Sequence, residues 1–323
     1  MNRTALIFLL ILLVVLLFAA SLMAGKVWVP PAAWFSGDPR WWIVLELRLP
    51  RAILGLAIGA ALGLAGAVLQ GYLRNPLADP AVVGVSSSAA LGAVAAIVLF
   101  AASAPIAIFA AAMLAACASM LLLAALAWRA DSAVAFILAG TVLASLGGAL
   151  TAFLISIAPN PFATAEVIDW IMGALTDRSF AEVQLALPFI ALGCVLLLLT
   201  GRALDALTLG EAAARSLGVR LGRVQLLVVL GAGLAVGASV AVTGVVGFVG
   251  LIVPHLLRPL TGARPSALLL PSALGGAALV LAADSLVRLG PGAGEIRLGV
   301  AMALLGTPFF FALLLKMRRS AWS

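Results

Sequence analysis

Residues 50–73 read PRAILGLAIGAALGLAGAVLQGYL, and this stretch decides the fold. After Arg51 no charge occurs until Arg74. A run of that length matches the roughly 20 apolar residues that carry a helix across a bilayer, and it has none of the alternation of a membrane β-strand. Gly55, Gly59 and Gly63 recur every four residues, with Gly66 close behind. Such a stripe lets helix backbones approach closely in lipid. Tight bundle packing is the reading preferred here over the lining of a substrate path, and it extends to Gly233 and Gly237.

Outward from this run the pattern repeats. Ten helical segments are predicted, at about 4–24, 50–73, 84–101, 105–128, 133–157, 183–201, 223–242, 252–262, 266–288 and 296–316. The eighth is short, follows a Gly-rich loop, and is not expected to span alone. Met1 to Gly25 has a minimal charged start and a long apolar run, so it is read as an uncleaved first helix rather than a signal peptide. Gly59, Ala60, Gly66, Val68 and Pro76 match Gly237, Ala238, Gly244, Val246 and Pro254 at an offset of 178, a weak hint of repeated halves.

Composition agrees with a membrane bundle. Of 323 residues, 65% are hydrophobic and 10% charged, whereas soluble domains carry about 25% charged residues. A soluble globule and a disordered chain are both excluded. One His and two Cys leave little for transition-metal or thiol chemistry. Cys117 and Cys194 lie in apolar runs and read as small packing residues. The isoelectric point of 10.9 is attributed to the positive-inside rule, not to nucleic acid. With the N-terminus inside, twelve Lys and Arg fall inside and seven outside, against four and eight acids. Both termini are therefore expected in the cytoplasm. Trp28, Trp34, Trp41, Trp42 and Trp170 then fall near the outer boundary, where amphipathic rings prefer to sit.

Four polar stretches interrupt this background. Leu47-Arg-Leu-Pro-Arg51 sits at the outer mouth of the second helix, its two charges either snorkelling to the interface or meeting an acidic partner. Gln70-Gly-Tyr-Leu-Arg-Asn-Pro-Leu-Ala-Asp-Pro80 sets a rigid inner turn. Asp205 to Arg223 holds a short polar helix, 209–218, between Gly210 and Gly218, with Glu211 and Arg215 spaced as a helix pair. It lies on the membrane surface or inserts into a cytoplasmic partner. Thr243-Gly-Val-Val-Gly-Phe-Val-Gly-Leu-Ile-Val-Pro-His255 predicts irregular backbone at membrane depth, tolerated only where protein or water surrounds it. His255, the only histidine, is expected to bond locally.

Together these stretches resemble the FecCD family of permeases, the membrane subunits of binding-protein-dependent ABC importers for iron chelates and vitamin B12. Ala283-Asp-Ser-Leu-Val-Arg288 and Gly306-Thr-Pro-Phe-Phe310 add to the likeness, which runs from about residue 45 to the C-terminus. One departure is Arg297, where the family usually has Pro. The resemblance implies an all-α polytopic membrane protein of about ten transmembrane helices per subunit, the type II ABC importer permease fold, as one permease domain over 1–323. It implies a homodimer in the inner membrane, two ATPase subunits on the cytoplasmic side, and a substrate-binding protein outside. The chain has no Gly-x-x-x-x-Gly-Lys-Ser/Thr loop, so no cofactor is expected in it, and ATP and Mg fall to the partner ATPase. It is accordingly not expected to be an enzyme.

Residue roles follow from the resemblance and, for the polar helix and Arg178, from the residues themselves. Arg48, Arg51 and Arg288 are expected to project outward and dock the binding protein. Asn75, Leu77, Asp131 and Ser132 are expected at a cytoplasmic gate, with helix capping as the plainer alternative. Gly210, Glu211, Ala214, Arg215, Ser216, Leu217 and Gly218 form the expected ATPase-coupling element. Arg178 is a candidate cargo contact, with a local pair to Asp177 or Glu182 as the alternative. No metal site is expected. The cargo is expected to be a metal chelate, ferric siderophore or haem, with cobalamin as the alternative. An ion-coupled secondary transporter would need an ionisable group near midplane. Only Asp284 lies well inside a span, with Arg288 one turn later to neutralise it.

Overall fold

The computed structural model describes residues 2–127, 133–262, 264–290 and 295–320. Within them the helices are α1 (Arg3–Met23), α2 (Leu49–Tyr72), α3 (Val85–Phe100), α4 (Pro105–Ala127), α5 (Ala133–Ser156), α6 (Pro161–Ile171) and α7 (Phe180–Leu198). They continue with α8 (Gly201–Leu207), α9 (Glu211–Ser216), α10 (Leu221–Thr243), α11 (Val249–Leu257), α12 (Pro265–Leu289) and α13 (Leu298–Ser320). Seven are long and apolar enough to cross a membrane, and Val85–Phe100, Val249–Thr261 and Leu298–Leu313 are shorter apolar helices. These ten occupy the ten expected segments. The eighth is indeed too short to span alone.

Local chemistry sets the boundaries. The Asn2 side chain accepts from Thr4 N at the start of α1. Ser179 and Glu182 form a capping box at the start of α7. Gly244, at φ +70, ends α10. The short helix α6 was not expected, although Asn160 caps it and Pro161 opens it, a usual start signal. Its Glu166 and Asp169 give the segment a polar look that hides the helix.

The most deeply buried spans are α2 and α10, and the least buried are α1 and α5. Helix α2 packs most extensively on α12, and the glycine stripe is the reason. A Cβ at Gly59 would lie 2.4 Å from the Gly276 carbonyl oxygen, and one at Gly63 would lie 2.1 Å from that of Ser272. Gly66 meets the backbone of Gly250 in the same way. Gly233 and Gly237 face Met120 and Ala116 of α4. The packing reading of these glycines holds. The offset-178 similarity does not mark equivalent structure, because Gly66 lies inside α2 while Gly244 terminates α10.

Residues 244–248 are irregular, as expected, and they thread through the bundle. Gly244 lies against the Trp170 carbonyl, and Gly299 against the carbonyls of Met172 and Val245. The Ala174 N–H donates to Thr243 O, and the Gly299 N–H to Gly173 O. Other backbone, not lipid, therefore covers this non-helical segment. His255 stacks edge-on to Phe309 of α13 at 6.0 Å.

Candidate functional site

Two ends of the bundle carry the polar chemistry. At one, α2 begins and α12 ends. Asp284 accepts from Arg51 Nε at both carboxylate oxygens, at 3.0 and 3.1 Å, and from Nη2 at 2.8 Å, and pairs with Arg288 at 3.0 Å. Arg51 also pairs with Glu295 at 2.9 Å. Arg288 donates to Ala24 O at 3.2 Å and to Ser21 Oγ. Arg48 donates to the carbonyls of Leu22, Met23 and Val27 at the end of α1. Burial opposes ionisation of Glu295. The Arg51 guanidinium, its hydrogen bond, and the Thr176 hydroxyl outweigh burial and hold the carboxyl below the usual range.

The expectation that Arg48, Arg51 and Arg288 project outward is corrected here. They are 5, 8 and 3% exposed. Desolvated guanidiniums need partners, and these have carboxylates and helix-end carbonyls within reach. This end also carries a cavity of about 220 Å³ whose charged lining is Lys26, Arg48, Arg51, Arg178 and Arg288 together with Asp177 and Glu295.

A second cavity, of about 320 Å³, adjoins it between α6, the start of α4 and the loop before α7. Its lining includes Glu166, Asp169, Arg178, Glu182 and Arg297. Arg178 is half-buried, and its Nε has no hydrogen-bond partner. Burial pushes its guanidinium down from the ordinary value, against the pull of Glu182 and Asp177. Glu182 itself is engaged with Ser179. Arg297, the departure from the family pattern, pairs with Asp169 at 2.9 Å and so ties α6 to the start of α13.

At the opposite end, α2 closes in a Schellman-type turn. The Asn75 N–H donates to Gln70 O, and Arg74 takes φ +50. The Asn75 side chain accepts from Leu77 N at 2.9 Å, so it does cap the turn, and Leu77 is half-buried. Asp79 likewise accepts from Ala81 N, and burial pushes its carboxyl up. Gln70 donates to Gly250 O and accepts from Arg258, fixing the start of α11 to α2. Asp131 and Ser132 lie outside the described residues.

Helices α8 and α9 cover this end. The short polar helix is Glu211–Ser216, flanked by Gly210 at φ +95 and Gly218 at φ +85. Its Ala212, Arg215, Ser216 and Leu217 are exposed, as is Gly218. Ala214, named with the coupling element, is fully buried and anchors the helix against the bundle. Glu211 reaches Arg74 at 3.6 Å. Asp205 of α8 accepts from the Ser266 N–H at 2.8 Å and from its hydroxyl at 2.6 Å, with Arg264 at 3.3 Å. Sequence reasoning missed this contact, and nothing in the spacing of residues 205 and 266 announces it.

A helical bundle threaded by covered irregular backbone, with a polar helix standing on one end, defines a polytopic membrane permease. Residues 11–316 match the FecCD transport family, and the chain belongs to that family. The vitamin B12 import system permease protein BtuC of Vibrio cholerae is 39% identical over 298 residues, covering 91% of this chain and 89% of that one. The hemin transport system permease protein HmuU of Yersinia pestis is 36% identical, covering 98% and 96%. A solved structure described as an inward-facing metal-chelate type ABC transporter superposes with a TM-score of 0.86 at 31% identity, covering 98% of this chain and all of the other.

Proposed function

We propose that two copies of this chain form the translocation path of an ATP-driven importer for a metal chelate in the inner membrane. The end bearing α8 and α9 faces the cytoplasm, with both termini on that side. This orientation rests on the excess of Lys and Arg there. The observation that carries the coupling role is α9 itself. A helix of six residues is too short to hold in water alone, yet it stands on the bundle with Ala212, Arg215, Ser216 and Leu217 exposed. Two ATPase subunits, which bind ATP and Mg, take that face. Asn75 and Leu77 belong to the cytoplasmic gate.

The 220 Å³ recess at the outer end, lined by five basic and two acidic side chains, receives an acidic element of a binding protein, steered by its excess positive charge. Arg178, with an unpartnered Nε beside the larger cavity, contacts the arriving cargo. A ferric siderophore or haem is the cargo preferred here. Cobalamin stands as the second reading, because the B12 and hemin permeases are nearly equal in identity to this chain. A secondary transporter is disfavoured because Asp284 is held between Arg51 and Arg288. The test is Ala213→Trp and Arg215→Glu. Both are expected to abolish ATP-dependent uptake and weaken ATPase copurification while the permease still folds and dimerises. Normal copurification with normal uptake in both would overturn the coupling role.

A further inference from the structure

The contact between Asp205 and Ser266 lies between two elements that the proposed function treats separately. Helix α12 opens at Pro265, and its N-cap residue, Arg264, makes no side-chain cap. The N–H groups of a helix's first turn lack intrahelical partners and attract negative charge. Asp205 supplies that charge from α8, 61 residues earlier, with two bonds to one residue. Around it the packing is close. A Cβ at Gly201 would stand 3.4 Å from Ser266 Cβ, and one at Gly71 would stand 3.3 Å from Leu204. Leu204 and Leu207 of α8 are buried. The segment carrying α9 is therefore fastened to the first turn of α12 by a charge-assisted cap.

What α12 does with that fastening follows from its own packing. Its 25 residues span about 37 Å at the helical rise, enough to cross the bilayer. Along that length it is joined to α2 by backbone-to-backbone contact at Gly59 with Gly276 and at Gly63 with Ser272. At the far end the joint is ionic, Asp284 with Arg51. Packing this close transmits strain from one helix to the other. One end of the joined pair is the turn carrying Asn75 and Leu77, and the other is the wall of the outer recess.

We propose that Asp205 is a positioning residue, a pin that turns movement of the coupling helix into movement of the joined α2 and α12 pair and so carries it to the outer face. The proposal rests on reading α9 as the ATPase-coupling element. A purely structural cap would stabilise α12 and transmit nothing.

The experiment uses the permease assembled with its ATPase and reconstituted, in a Cys117→Ser, Cys194→Ser background. An environment-sensitive bimane probe is placed on a single cysteine, either Arg220→Cys, exposed just beyond α9, or Leu289→Cys at the exposed far end of α12. ATP is expected to shift emission at both sites in the parent. Asp205→Ala should keep the shift at 220 and reduce that at 289 on the order of tenfold, the scale of losing charge-assisted hydrogen bonds. Asp205→Asn keeps an acceptor for the Ser266 N–H and should restore most of the response. Ser266→Ala, which removes only the hydroxyl bond, should fall between and serves if Asp205→Ala does not fold. An unreduced shift at 289 in Asp205→Ala would overturn the pin. So would loss of ATPase copurification, since the pin acts after docking. No shift at 220 in the parent would instead bring down the coupling reading, and the pin with it.

Discussion

The two ends of the bundle solve the same problem in opposite ways. At the end where α2 begins, which the proposed orientation puts outside, three arginines and Asp284 are buried, and each guanidinium is matched by a carboxylate or by helix-end carbonyls. At the inner end the charged groups are partly exposed. Glu211 meets Arg74 at 3.6 Å with nearly half of the arginine side chain in solvent, and Arg264 is more exposed still. Buried charge without a partner costs several kcal/mol, about 3–5 when one member of a pair is removed. An exposed pair contributes about 0–1 kcal/mol. The outer cluster therefore fixes geometry, whereas the exposed Glu211 and Arg74 pair can exchange partners, as the proposed docking of an ATPase there requires. A transporter driven from one face needs that asymmetry.

The harshest trial of the contrast is Asp284→Ala. It leaves buried Arg288 with only neutral partners, the Ala24 carbonyl and the Ser21 hydroxyl, and Arg51 with Glu295 alone. A loss of about 3–5 kcal/mol is expected, seen as a lower unfolding midpoint in detergent and a smaller monodisperse fraction. Stability within 1 kcal/mol of the parent would mean that the cluster is better hydrated than its burial implies. Arg51→Glu, which from sequence would report on docking alone, would set a third carboxylate beside Asp284 and Glu295. It would confound docking with folding.

The joint between the ends comes next in size. Gly63→Ala places a Cβ 2.1 Å from the Ser272 carbonyl, and backbone rather than a flexible side chain must yield. Overpacking of this kind costs about 1–3 kcal/mol. Helix α2 should part from α12, with a lower unfolding midpoint and transport reduced more than ATPase copurification. Unchanged transport would show that the two helices need not move as one body.

How much of this was legible in the sequence depends on the range of each contact. The ten apolar helices follow from local runs, and the Gly59 and Gly63 packing follows from a four-residue period. The Asp284 and Arg288 pair was readable because it is one helical turn apart. The Arg51 and Asp284 pair, separated by 233 residues, was not. A linear reading sends an arginine near the interface into water, and the three outer arginines were misplaced for that reason. Helix α6 carried its Asn-Pro start signal but too little apolar length to stand out. The short polar helix was legible because Gly210 and Gly218 bracket it. Which of its alanines faces inward depends on tertiary packing, so the buried Ala214 could not be told from its neighbours. The Asp205 cap on α12 lay beyond any local pattern.

The smallest expected effect is the most discriminating. Arg74 occupies the left-handed position that closes α2, at φ +50, where glycine is the usual residue. An L-residue there costs about 1–2 kcal/mol relative to its relaxed conformation. Arg74→Gly relieves that strain and removes the pair to Glu211, worth about 0–1 kcal/mol. Both terms are small and opposed, although glycine also gains freedom in the unfolded chain. The unfolding midpoint should therefore stay within the equivalent of about 1 kcal/mol. Uptake driven by ATP should nonetheless fall several-fold, since the turn holding Asn75 and Leu77 loses its direct tie to α9. Arg74→Lys, which keeps the charge on a flexible stem, should recover part of it. If uptake and stability both match the parent, the inner ion pair is incidental. The α9 segment would then act on the bundle only through its apolar anchor at Ala214 and through Asp205.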